Sequence, residues 1–173
     1  MMNNNDFYSK RDLNVYNTPL EVGLRVIIIL NELGYMPIDI NRLIIYDYFV
    51  LHGSDFDKSI ESLHPPIPHR SGEIIIKRKI IQDGINLMYS RELLDIQYTE
   101  EGIYYKANEL TPAFLNYLDS TYAEEISKNS KLVINKFNSY SDDELNAYVN
   151  DNFSKWGSEF TKESLIRGWF SGE

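Results

Sequence analysis

Apolar positions crowd the first third of the chain and thin out afterwards. "LEVGLRVIIILNEL" (20–33) is apolar on nearly every helical face, the pattern of a helix central to a core. Its start is signalled by "TPLE": Thr18 suits the N-cap, Pro19 the first helical position, and Glu21 a capping box. Gly34 ends it. Gly23, inside the helix, predicts the close approach of another element. Arg25 is the lone charge at its middle, read as an edge residue whose stem snorkels outward. After Pro37, Asp39 caps a second apolar helix, "INRLIIYDYFVLH", which stops near Gly53. Asp47 within it is read as solvent-facing or paired.

A long irregular connection over 53–71 follows, polar in "GSDFDKSIES" and rigid, partly polyproline-like, in "LHPPIPH". A third helix is predicted from Ser71–Glu73 to about Arg91, with Ile74, Ile81, Ile85 and Met88 on one face. Alternation in "LLDIQYT" and "IYYKAN" about the turn "EEG" predicts a β-hairpin with Tyr104 and Tyr105 on opposite faces. Thr111–Pro112 opens a short helix. A longer one covers 121–138, with Tyr122, Ile126, Val133 and Phe137 as its stripe. "SDDE" (141–144) is a capping box for a further helix with the stripe Leu145, Tyr148, Val149, Phe153 and Trp156. "FTKESLIRGWF" is a last short helix or a tail. The expected fold is mainly α with a small β-hairpin. Three helices and a hairpin form a winged-helix-like domain over 18–119, after a flexible N-terminal arm over 1–17. A C-terminal helical extension over 120–173 packs on that domain.

Composition narrows the chemistry. The 173 residues are 43% hydrophobic and 13% aromatic, enough for a real core, and contain no cysteine, which removes disulfides and thiol chemistry. The polar N-terminus lacks the apolar core of a signal peptide, and the longest apolar run, Val26–Leu30, is too short to span a bilayer. A soluble cytoplasmic protein is expected. The net charge of −9 argues against a whole-surface nucleic-acid binder.

Two chemical constellations compete. The third helix region, 70–91, carries Arg70, Lys77, Arg78, Lys79 and Arg91 against Glu73 and Asp83, a local +3. As a recognition helix it would touch phosphate through Lys77, Arg78, Lys79 and Arg91. However, Lys77–Arg78–Lys79 are consecutive and fan around the helix, and the connection before it is far longer than a helix-turn-helix turn. The histidines His52, His64 and His69, with Asp55, Asp57 and Glu73, raise a metal or acid–base reading. No HExxH or other dense ligand motif accompanies them, and helix capping or backbone bonding is the plainer role. A GxSxG elbow and a glycine-rich phosphate loop are both missing from the sequence. No catalytic residue, metal or cofactor is expected.

"NTPLEVGLR" (17–25), "LIIYDY" (43–48), "LHPPIPHRSGE" (63–73), "LMYSR" (87–91), "GIYYKANELTPAFLNYL" (102–118) and "WGSEF" (156–160) together resemble the middle component of bacterial ABC-three-component systems. That family includes the small accessory subunit of Lamassu-type anti-phage defence. The resemblance covers about residues 17–160. It implies a non-enzymatic adaptor partnered by an SMC/Rad50-like ABC ATPase and by an effector such as a nuclease. It implies DNA contact only through the complex, and no membrane. SMC complexes commonly dock winged-helix modules, an analogy at the level of fold alone.

On this reading the proline loop 63–70 is a rigid docking element. The expected partner-binding residues are His64, Pro65, Pro68, His69, Arg70 and Glu73, with Arg25 and Tyr104. Prolines lower the entropy lost on binding, and Arg70 can grip a partner carboxylate. The competing reading packs the loop internally, with Arg70 and Glu73 anchoring the third helix. The alternative function is a winged-helix DNA-binding transcriptional regulator.

Overall fold

The structure, a computed structural model, describes residues 17–64 and 70–156, with side chains throughout except at 70–76 and 153–155. The elements run α1 (Pro19–Glu32), β1 (Ile38–Asp39), α2 (Ile40–Leu51), a single 3-10 turn (Gly53–Asp55), α3 (Arg70–Ser90), β2 (Asp95–Thr99), β3 (Gly102–Lys106), α4 (Leu110–Leu115), α5 (Thr121–Phe137) and α6 (Asp142–Trp156). The protein is mainly α with a small antiparallel sheet, as expected. The element order is compatible with a winged helix.

The helix starts follow the side-chain chemistry of their caps. Thr18 Oγ1 accepts from Glu21 N (3.2 Å), but the Glu21 carboxylate closes the box on Asn17 N (2.7 Å), one residue upstream of the expected place. Asp39 accepts from the first amides of α2. The Ser141–Glu144 box is reciprocal, at 2.8 and 3.2 Å. Ser141→Ala removes one half of it, so it should cost about 1 kcal/mol and speed amide exchange in the first turn of α6. The Thr111–Pro112 start is corrected. α4 starts at Leu110 behind Glu109, and it is Asn108, one residue earlier, whose Oδ1 accepts from Leu110 N and Thr111 N. Thr111 is buried, donating to the Leu93 carbonyl at 2.8 Å.

The expected hairpin is present, with Ile96 opposite Tyr105 and Tyr98 opposite Ile103. The sheet has a third strand that the alternation did not reveal. β1 pairs with β3 through Ile38–Tyr105 and Asp39–Tyr104, giving the order β1-β3-β2. Two residues carry no periodicity, and Asp39 also caps α2, so the strand is masked by its second role.

α1 and α2 are the centre of the core. Val26, Ile27, Ile29, Leu30, Leu43, Tyr46, Phe49 and Val50 are fully buried. α3 covers one side through Ile81, Ile85 and Met88, and α5 the other through Ile126, Val133 and Phe137. α6 adds Leu145 and Val149. The C-terminal helices up to Trp156 therefore complete one core. Phe49 stacks on Phe137 with centroids 4.9 Å apart, and Phe56, Tyr148 and Trp156 surround Phe49 edge-on. The Trp156 indole donates to the Asp55 carbonyl at 3.0 Å. Gly23 meets Gly84 where α1 crosses α3: a Cβ on Gly84 would lie 2.8 Å from Gly23 N. The close approach expected at Gly23 is thus α3 itself. The arm at 1–16, the loop residues 65–69 and "FTKESLIRGWF" lie outside the described residues.

Candidate functional site

The charges in the apolar middles of α1 and α2, Arg25 and Asp47, face each other. The Arg25 guanidinium donates through Nε to Asp47 Oδ1 at 2.8 Å and through Nη2 to Oδ2 at 3.4 Å. Arg25 is 2% exposed and Asp47 wholly buried, which corrects the edge reading of Arg25 and selects the paired reading of Asp47. Nη1 of Arg25 donates to Glu21 at 3.0 Å and Nη2 to Asn17 at 3.2 Å. Lys77, from α3, brings its ammonium to 3.7 Å from Asp47 Oδ2 and lies over the Tyr48 ring.

The electrostatics follow from this packing. Burial alone would push the Asp47 carboxyl up. Arg25, then Lys77, outweigh burial and hold it below the ordinary aspartate value, so it is ionised. Burial also opposes the charge on Arg25, and Asp47 more than restores it.

The network continues to the mouth of the proline loop. The Tyr122 hydroxyl donates to Glu21 at 3.3 Å, and His64 Nε2 lies 3.1 Å from that hydroxyl. Tyr122 donates its hydroxyl proton to Glu21 and so links the carboxylate to the His64 ring. Burial first, then the Glu21 carboxylate, push the Tyr122 phenol up to about 12. Burial and the nearby Arg25 guanidinium lower the His64 pKa. The imidazole is therefore neutral near pH 7. His64 N also donates to the Leu51 carbonyl at 3.2 Å. The residue that opens the loop is thus held at its backbone by α2 and at its ring by α5.

Asn17–Arg25, Tyr46–Tyr48 and His64 belong to three separated stretches, and they meet at this cluster. Of the residues singled out in the sequence, Arg25 and His64 are brought together through Glu21 and Tyr122. Pro65, Pro68 and His69 lie outside the described residues. Arg70 and Glu73 stand in the first turn of α3, their side chains outside the description. Tyr104 is elsewhere, on the sheet opposite Asp39, and partial burial with the carboxylates Glu101, Asp39 and Asp142 pushes its phenol up. Glu21, Asp47 and Tyr122 were not singled out as site residues. The signal for Asp47 was present: a charge inside an apolar helix needs a counter-charge, and Arg25 in the neighbouring helix is one.

The described members of the histidine-centred constellation take other roles, while His69 and the Glu73 side chain lie outside the description. His52 packs on the Tyr48 ring at 4.8 Å, Asp55 accepts from the Tyr48 hydroxyl, and Asp57 caps a turn at Ser59. No group of three potential metal ligands converges among the described residues. The basic residues of α3 divide as their fan predicts. Lys77 is buried on Asp47, Arg78 donates to Asn41 at 2.6 Å, and Lys79, 85% exposed at its side chain, pairs with Asp83 at 3.0 Å. Arg91 is exposed just past the helix end. Among the described residues, no helix is long and apolar enough to cross a membrane.

The cluster's hydrogen bonds and ion pairs anchor α1, α2, α3 and α5 around the point where the proline loop leaves. No curated protein and no solved structure matches the chain. Residues 15–159, which contain the whole network, match the family described as ABC-three component (ABC-3C) system Middle Component 2, and the chain belongs to that family.

Proposed function

We propose that the protein is a non-enzymatic adaptor or regulatory subunit. It links an SMC/Rad50-like ABC ATPase to an effector, a nuclease in the Lamassu-type anti-phage complexes that the sequence resembles. Family membership makes it a component of a multi-subunit system. The observation that favours the adaptor reading over a DNA-binding regulator is the placement of Lys77, which is buried on Asp47 while its neighbours face outward. Arg78 and Lys79 stay exposed, with Asn41 and Asp83 as partners. The helix thus offers phosphate fewer cations than its sequence suggests, on a chain of net charge −9.

In this reading the cluster serves the loop. Arg25 is interior and offers a partner no surface of its own, but through Glu21, Tyr122 and His64 it fixes the loop's exit. His69 and Arg70 would then make the contact. The test is co-expression with the neighbouring genes, a tag on this subunit, and size exclusion with mass spectrometry. Co-elution with a large ATPase is expected, together with negligible salt-dependent binding of duplex DNA by the isolated subunit. Tight duplex binding by a lone subunit would instead establish the regulator. Combining His69→Ala with Arg70→Ala should weaken assembly by roughly tenfold or more, as for residues at the centre of an interface, and leave the melting temperature unchanged. Intact assembly with a lowered melting temperature would make the pair an internal anchor.

A further inference from the structure

The outer edge of the sheet is open in a way that folded proteins usually avoid. β2 is an edge strand, since the order is β1-β3-β2, and no described residue pairs with its far side. Exposed edges are normally blunted by lysine, proline, a bulge or brevity. β2 has five residues, none of them lysine or proline, and its pairing with β3 runs unbroken from Asp95–Lys106 to Thr99–Gly102, without a bulge.

The side chains on this edge are equally unfinished. Ile96 and Tyr105 face the core, with Tyr105 buried. The next pair on the same face, Tyr98 and Ile103, runs past the core and is 75% and 48% exposed. Around that apolar pair the segment 92–109 carries Glu92, Asp95, Glu100, Glu101 and Glu109 against Lys106 alone. The wing of a DNA reader would be expected to be basic. This one repels phosphate and, by the same charge, a second copy of itself.

We infer that β2 receives an extended basic segment of a partner protein, which adds to the sheet as a fourth strand beside Asp95–Thr99. Main-chain hydrogen bonds along β2 supply affinity and the side chains on alternate faces supply selection. On one face an apolar residue of the incoming strand covers Tyr98 and Ile103. On the other, lysine or arginine meets Asp95, with Glu100 and Glu101 at the turn. A cross-strand pair of opposite charge and an aromatic–aliphatic pair are the combinations that stabilise such a ladder. This surface does not depend on the adaptor reading, and its test needs no co-encoded subunit.

The probe is a synthetic ten-residue peptide of alternating lysine and valine, titrated into the full chain at low salt and followed by amide chemical shifts and hydrogen exchange. The β2 amides that point away from β3 should exchange quickly in the free chain. With peptide they should become protected at least tenfold, and the shifts should concentrate on 95–103. Tyr98→Lys with Ile103→Lys should abolish the response while leaving the rest of the amide spectrum intact, since both side chains are exposed. An alternating glutamate–valine peptide should give no response. Three results overturn the inference: outward β2 amides already protected in the free chain, which would mean that another part of this chain covers the edge; peptide shifts scattered over the acidic surface; or no binding.

Discussion

Asp47→Ala should lower stability by roughly 3–5 kcal/mol, the cost typical of removing one partner from a buried ion pair. At this chain length that corresponds to a fall in Tm of roughly 6–20 °C. The substitution removes the buried carboxylate that Arg25, 2% exposed, and Lys77 share, and leaves Arg25 only Glu21 and Asn17. Much of the loss is the cost of a buried guanidinium that has lost its main counter-charge. Adding Arg25→Met to Asp47→Ala should therefore restore part of the stability, because it removes that charge. Chemical denaturation of the two single variants and the double variant measures the coupling. The pH dependence has a fixed sign. The folded-state pKa of Asp47 lies below the ordinary aspartate value of 3.8, so its stabilisation is fully present above that value and lost as pH falls through the folded pKa. The gap between wild type and Asp47→Ala should be constant through neutral pH and narrow only in acid. A gap that changed through neutral pH would assign the effect to a group other than Asp47.

Gly84→Ala should destabilise although alanine is the better helix former by about 1 kcal/mol. The new methyl would meet Gly23 N at 2.8 Å, Gly23 Cα at 3.1 Å and the Pro19 carbonyl at 3.2 Å. All three are backbone atoms, so no side chain can rotate away, and α1 and α3 must part. Overpacking of this kind costs about 1–3 kcal/mol, and a rigid backbone neighbour places the site at the upper end. A net loss of about 2 kcal/mol is expected by urea denaturation. Gly23→Ala should cost less, because its nearest obstacle is the flexible end of Met88 at 2.7 Å, although the Gly84 carbonyl stands at 2.9 Å. Equal losses at both positions would mean that the helices shift as a pair.

The fold was legible wherever a repeat or a cap was long enough to read. The α1, α2 and α6 starts were carried by side chains that accept from backbone amides. The α5 stripe and the hairpin were carried by their periods. β1 escaped because two residues have no period, and the α4 start escaped because Asn108, lacking the Thr–Pro signature, did the work attributed to Thr111. The site was half legible. His64 was noticed for its company of prolines, and Arg25 for its isolation. The sequence leaves Asp47 solvent-facing or paired and Arg25 at an edge, and nothing in either helix's period says that the two meet. The glycine crossing shows the same limit: Gly23 announced a neighbour, but only the packing identified it as Gly84.

The order in which the core is closed bears on how the chain is made. α1 and α2 are the most apolar helices and leave the ribosome before the helices that cover them: α3 comes after the proline loop, and the Phe137 ring that stacks on Phe49 well after that. The last clasp, the Trp156 indole on the Asp55 carbonyl, joins residues 101 positions apart. Until that stretch has been synthesised, the nascent chain displays a bare apolar helix pair with a charged residue on each partner. Such exposure favours aggregation and chaperone capture. The Arg25–Asp47 pair then acquires a second value. It lies within the first-made segment and can form before any cover is available, so it registers two greasy helices against each other while they wait for the rest of the protein.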